Sequence, residues 1–265
     1  MQRNELAQVL QDLMNGRASV EQTMERIGLE PYLETGQGLN LDMRRGIRTG
    51  IPEVVFGAGK SKKQLFTAVK HLAGRQQKVL VTRLGADAGN ALAQEFPEGR
   101  YFEVPGLFEL NSSIDLDQPW NGEAEVMIIS AGGADLPVAL EAYACLEFFG
   151  HTPGLVSDVG VAGLHRLFPH LPKISKARIL VVIAGMEGAL PSVLAGLCPV
   201  PIVAVPTSVG YGTSLNGITP LLAMLTSCAP GISVVNIDNG FGAACFAFKV
   251  QENQKSEVSG QRSES

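Results

Sequence analysis

Between Arg178 and Gly231 the chain alternates two short apolar runs with one helix-like segment, and this pattern leaves few folds open. Ile179–Ile183 is apolar and stops at Ala184-Gly185, a helical segment starts near Leu190-Pro191, and a second apolar run follows at Pro201–Val205. Runs this short, rich in Val and Ile and bounded by Gly and Pro, read as strands buried on both faces. A helix between two of them makes a parallel crossover. In such sheets ligands bind beyond the carboxyl ends of the strands, so Gly185-Met186-Glu187-Gly188 and Pro206-Thr207-Ser208-Val209-Gly210 are expected to share one crevice. A Met/Leu-rich helix then leads to Cys228 and to the break Ala229-Pro230-Gly231.

The flanking sequence extends the pattern. Glu125–Ser130 reads as a strand, Ala131–Pro137 as a Gly-containing loop and Val138–Phe149 as a helix. Val156–Arg166 continues the alternation, and Val234–Ile237 reads as the last strand. Glu125 to about Phe248 is therefore expected to be a flavodoxin-like open parallel sheet with helices on its faces. The first half reads as a smaller α/β domain. A helical hairpin over Asn4–Ile27, its second helix capped by Ser19, precedes a loop at Tyr32–Leu41. A short strand at Val54–Phe56, a helix from Ser61 through Leu72, a strand at Lys78–Thr82, a helix at Asp87–Phe96 and a strand near Arg100–Val104 follow. Pro105–Glu125 lacks periodicity and should hold the boundary, giving domains 1–120 and 121–250; the polar tail 251–265 reads as disordered.

Composition narrows the function. A formal charge of −5 gives no basic footprint for nucleic acid. No apolar run reaches the roughly 18 residues that span a bilayer and nothing near Met1 resembles a signal peptide, so a soluble cytoplasmic protein is expected. The four cysteines show no Cys-x-x-Cys spacing, so neither a disulfide framework nor a zinc site is signalled. A hydrophobic share of 45% leaves apolar surface for a homo-oligomer.

Several residues could carry chemistry, each with a plainer reading beside it. Glu187, just past a strand among small residues, reads as a proton-exchanging carboxylate in a water-poor crevice or equally as a helix cap. Cys145 and Cys198 lie in apolar segments and read as core. Cys228 sits at a break between elements, where it is either a reactive thiol or structural. Gly132-Gly133 could present N–H groups to a phosphate at a helix N-terminus or simply form a tight turn. His165-Arg166 and the arginine-rich run Arg44-Arg45-Gly46-Ile47-Arg48 read as anion-binding groups or as solvated surface.

Taken together, the segments AGGADLPVALEA (131–142), DVGVAGLHRL (158–167), IAGMEGALPSVLAG (183–196), PIVAVPTSVGYG (201–212), LLAMLTSCAPG (221–231) and VVNIDNGFGAA (234–244) closely resemble the LarB family. LDMRRGIRTGIPEVVFGAGK (41–60) and VLVTR (79–83) extend the resemblance to nearly the whole chain. These are pyridinium-3,5-biscarboxylic acid mononucleotide synthases of nickel-pincer cofactor biosynthesis. The second half is also similar, more broadly, to the carboxyaminoimidazole ribonucleotide mutases (PurE). It departs from them where Ala134 replaces a loop Ser, Leu167-Phe168 replaces Thr-Pro, and Cys228 falls where the mutases usually carry Met.

The LarB resemblance implies carboxylation of the pyridinium ring of nicotinic acid adenine dinucleotide at carbon 5 by CO2 or bicarbonate, with cleavage of the phosphoanhydride to release AMP. It implies Cys228 as the nucleophile, Glu187 as the base, and His165 as a further catalytic group. The implied substrate contacts are Arg44, Arg48, Lys60, Arg83, Gly132, Gly133, Asp135, Arg166, Gly185, Ser208, Asp238 and Asn239, with the N-terminal domain contributing to the site. No tightly bound cofactor is implied. Mg2+ has a conceivable role in the hydrolysis, and an octamer is one expected assembly. The rival readings are an aminoimidazole ribonucleotide carboxylase or mutase of purine biosynthesis, and a nucleotide-binding protein without catalysis.

Overall fold

The computed structural model describes residues 3–27, 32–35, 38–75 and 78–261. The chain forms two compact units, Met1–Ser113 and Ile114–Ser265.

The N-terminal unit comprises α1 (Arg3–Met14), α2 (Val20–Ile27), β1 (Leu33–Glu34), β2 (Asn40–Leu41), α3 (Arg45–Thr49), β3 (Val55–Phe56), α4 (Lys62–Arg75), β4 (Val79–Thr82), α5 (Ala86–Glu95), β5 (Gly99–Phe102) and β6 (Leu107–Leu110). Ser19 and Ser61 cap α2 and α4 through reciprocal bonds with Gln22 and Gln64, the capping-box arrangement. The main sheet runs β3-β4-β6-β5, with β3 and β4 parallel and the other pairs antiparallel. Leu65, Val69, Leu72, Val79, Val81 and Phe108 pack in one cluster on it.

Three strands of this unit depart from the sequence expectation. Leu33–Glu34 and Asn40–Leu41 pair as an antiparallel ladder where a loop is expected. Leu107–Leu110 is a buried strand inside the stretch read as a boundary. Burial on both faces removes the alternation that marks a strand, and Glu109, itself buried, interrupts the apolar run.

The C-terminal unit comprises β7 (Val126–Ser130), α6 (Leu136–Phe148), β8 (Gly154–Val156), α7 (Leu171–Ile174), β9 (Ile179–Ala184), α8 (Leu190–Leu197), β10 (Ile202–Pro206), α9 (Ile218–Leu225), β11 (Ile232–Val234) and α10 (Gly240–Gln261). Its five strands are all parallel, in the order β11-β10-β9-β7-β8. This is the flavodoxin-like arrangement, in which the winding reverses between the first and third strands, here β7 and β9, and ligands bind in the crevice that opens there. Met127, Ile129, Leu180, Val182, Ile202 and Ala204 face one helical layer with Leu190, Leu194 and Met224.

On the other face α6 is buried along nearly its whole length, because α10 packs over it. Gly240 makes that approach possible: a Cβ there would lie 2.5 Å from the Val138 carbonyl oxygen. Helix α10 corrects the expected disorder, since residues 251–261 continue it; 262–265 lie outside the described residues. The last strand is also earlier than expected, ending at Val234. The chain nevertheless stays beside β10 as far as Asp238, through bonds from Val235 N to Ala204 O (3.0 Å) and Asp238 N to Pro206 O (2.8 Å).

Candidate active site

The loops at the switch point are locked together by one buried carboxylate. Asp135, 3% exposed, accepts a bond from the Thr207 hydroxyl (2.6 Å) and one from Gly132 N (2.8 Å), and the Gly185 N–H also donates to it. It thereby ties the loops after β7, β9 and β10 into one frame. Burial raises its pKa above the ordinary aspartate value against the opposing pull of those three donors, and Asp238 adds to the rise. Gly185 has no room for a side chain: a Cβ would stand 2.3 Å from Val209 O and 2.6 Å from Thr207 Oγ1. Asp238 performs a similar fastening one strand along, accepting a 2.8 Å bond from Ser208 N. Asn239 accepts from Gly242 N (2.8 Å) at the start of α10. Asp135, Asp238 and Asn239 thus spend carboxylate or amide oxygens on building the crevice, while Gly133 and the Ser208 side chain stay exposed.

Glu187 stands in the loop after β9 between Met186 (φ 52°) and Gly188 (φ 67°), both left-handed. That double reversal turns it outward, so it is exposed rather than held in the water-poor position expected for it. The cap reading also fails, because the residue before α8 is Ala189 and no side chain caps that helix. Gly188 lets the loop touch α9, where a Cβ would meet Pro220 Cα at 2.9 Å.

Of the four cysteines, Cys145 and Cys198 are buried, Cys245 is half-buried and Cys228 is exposed. Cys228 lies in the turn from α9 to β11, in the helical layer rather than on a carboxyl-end loop. Its neighbour Ser227 is fixed from two sides, by a 2.7 Å hydroxyl–hydroxyl bond with Ser192 on α8 and by a 3.2 Å bond from Ala229 N. The α8 and α9 segments are therefore fastened at two points, Gly188 of the loop before α8 against Pro220 on α9, and Ser192 on α8 against Ser227 in the turn after α9. Glu187 and Cys228, both exposed, adjoin those points, as does the exposed Thr226. Ser192, Ser227 and Thr207 do not appear among the sequence-derived site residues; a hydroxyl three residues into a helix gives no sign in sequence of its partner 35 positions away.

The remaining candidates are dispersed. His165 and Arg166 end a 3-10 segment after β8, both exposed, and Arg166 pairs with Asp158 at 2.5 Å. In the N-terminal unit Arg48 pairs with Asp42 (2.5 Å), which also takes Arg45 (3.4 Å), and Arg45 reaches Glu53 (2.9 Å). The arginine-rich run is thus largely an internal ion-pair network. Arg44 precedes α3, Lys60 follows β3, and Arg83 stands left-handed (φ 57°) at the end of β4. Among the described residues no three His, Cys, Asp or Glu side chains come together to hold a metal. No helix among the described residues is long and apolar enough to cross a membrane.

This geometry can be set against known proteins. Residues 33–112 match the LarB/PurE-like N-terminal domain, and residues 125–264 match the AIR carboxylase domain. An uncharacterised protein of Methanocaldococcus jannaschii is 40% identical over 248 residues, 90% of this chain and 95% of that protein. The chain belongs to the LarB family. The PurE-like half of this LarB protein is similar by itself to the N5-carboxyaminoimidazole ribonucleotide mutase of the same archaeon, 35% identical over 47% of this chain and 77% of the mutase. It is also similar to the phosphoribosylaminoimidazole carboxylase of Saccharomyces cerevisiae, 31% identical over 58% of this chain and 28% of that enzyme. The family models and these relatives support a carboxylase/mutase-family function for the LarB chain.

Proposed function

We propose that the chain carboxylates the pyridinium ring of nicotinic acid adenine dinucleotide at carbon 5 and cleaves the phosphoanhydride, giving pyridinium-3,5-biscarboxylic acid mononucleotide and AMP for nickel-pincer cofactor synthesis. The observation that carries this reading is the placing of an exposed cysteine and an exposed glutamate beside the two contacts that join α8 to α9.

The chemistry needs both. A pyridinium ring repels an electrophile such as CO2. When the Cys228 thiolate adds to ring carbon 4, the S–C bond forms and the ring nitrogen takes up the electron pair, leaving an enamine with a nucleophilic carbon 5. Carbon 5 bonds to CO2, Glu187 takes the proton from carbon 5, and expulsion of the thiolate restores the aromatic cation. One C–H bond is exchanged for one C–C bond, a proton is released, and no redox partner is needed. Water then cleaves the phosphoanhydride. The exposed Gly133 backbone just before α6 is proposed as a phosphate contact, the Gly132 N–H being already bound to Asp135. His165 is proposed as a carboxylate contact. Self-association would cover Ile218, Leu222 and Leu225, which stand 43–61% exposed along one side of α9.

The similarity to mutases over the second half supports the purine reaction as a second reading. Separate incubations with nicotinic acid adenine dinucleotide and with N5-carboxyaminoimidazole ribonucleotide distinguish the two. AMP together with a carboxylated mononucleotide in the first alone supports the proposal, whereas turnover in the second alone replaces it.

A further inference from the structure

Beside the switch-point crevice the C-terminal unit contains a cavity of about 420 Å³ to which the catalytic proposal assigns nothing. Ligand pockets run from roughly 300 to 1,000 Å³, and this one, a cleft open to solvent on one side, falls within that range. The apolar part of its wall comes from Leu136 and Leu140 on α6, Leu155 on the edge strand β8, and Pro119 on the segment that enters the unit. That segment is held in place from both sides. Trp120 N donates to the Tyr143 hydroxyl (2.8 Å), Trp120 O accepts from Leu155 N (2.7 Å), and Asp115 N is bound by Glu147 (3.0 Å). The cavity is thus a built feature of this unit.

Its polar groups are Ser157, His170, Lys173 and Asn121. The Lys173 ammonium already donates to the Asn121 carbonyl, and no carboxylate lines the cavity. Burial, and then Lys173, hold His170 below the ordinary histidine value, so near neutral pH its ring is uncharged. An uncharged imidazole and a hydroxyl can each donate or accept. Such a site favours a flat, uncharged heteroaromatic ring that is apolar on its faces and carries adjacent donors and acceptors on its edge. The position fits the same occupant. Leu136 directly follows Asp135 of the crevice frame, and Ser157 opens the loop that packs on the β7 loop, where a Gly160 Cβ would lie 2.8 Å from Ala131 O.

We propose that this cavity receives the purine ring of the adenylate half of the substrate, and of AMP after cleavage. The assignment rests on the dinucleotide reading above. It is tested on the full chain without bicarbonate, by photolabelling with 8-azido-AMP and mapping the labelled peptides, using AMP and ribose 5-phosphate as competitors. The expected label falls on peptides spanning 116–121 or 136–140, with AMP competing at least tenfold better than ribose 5-phosphate. Leu136→Trp, which fills the cavity from its half-exposed rim, should weaken AMP binding at least tenfold with an unchanged circular dichroism spectrum. If that variant misfolds, the labelling map decides alone. Label elsewhere, equal competition by the two probes, or no AMP binding overturns the assignment. A correct label in a chain that forms no carboxylated product would instead sink the catalytic proposal and leave the cavity as a purine site.

Discussion

At the scale of single residues, Asp135 shows how a site is made rigid before any substrate arrives. Its oxygens meet three donors on three loops, so Asp135→Asn replaces an acceptor with a donor facing donors. A loss of about 1–3 kcal/mol is expected from a urea midpoint near neutral pH. The pH dependence has a definite sign. Because burial raises the folded pKa, the native state holds the Asp135 proton more tightly than the unfolded chain. Its contribution is therefore present in full below the ordinary value of 3.8 and is lost as pH rises through the raised folded value. The stability gap between wild type and Asp135→Asn should widen from pH 6 towards pH 3.5; a gap that narrows would contradict this role. Glu187, exposed and not spent on a cap, should behave differently. Glu187→Gln is expected to leave stability within about 0.5 kcal/mol while lowering kcat by about 10²–10⁴-fold, the usual contribution of a positioned base.

At the scale of elements, the contacts between α8 and α9 carry the argument. Gly188 combines a left-handed φ of 67° with backbone 2.9 Å from where a Cβ would sit. Gly188→Ala is expected to cost at least about 1–2 kcal/mol. Gly133→Ala, with open space around it, should be near neutral in the same denaturation series, and equal costs at the two positions would refute the packing account. The strand–loop–helix units of the second half are legible in sequence because parallel strands buried on both faces leave short Val/Ile runs between Gly and Pro. Helix α10 is not, because its buried stripe is built from Gly240, Ala243, Ala244 and Ala247, small residues whose apolar periodicity is faint. The same limit hid the Ser192–Ser227 contact. Residue types placed Glu187 and Cys228 on their loops, but their fastening depends on a pairing between helices far apart in sequence.

At the scale of the whole molecule, each unit has its own core, so the segment 114–265 expressed alone should unfold cooperatively; a non-cooperative transition would show that its stability is borrowed. The exposed apolar side of α9 predicts self-association, and Leu222→Glu should lower the mass seen by light scattering if that face is covered. The charge balance, the family and the parallel sheet were all readable from the sequence. The outward turn of Glu187 was not, since it depends on left-handed backbone at Met186, a residue type that gives no hint of it.

The central claim is that Cys228 makes the pyridinium ring carboxylatable. It is tested most directly by incubating wild type and Cys228→Ser with nicotinic acid adenine dinucleotide and ¹³C-bicarbonate and weighing the mononucleotide. The account predicts a labelled, carboxylated mononucleotide from wild type and none from the folded variant. Labelled product from Cys228→Ser at a comparable rate would contradict it.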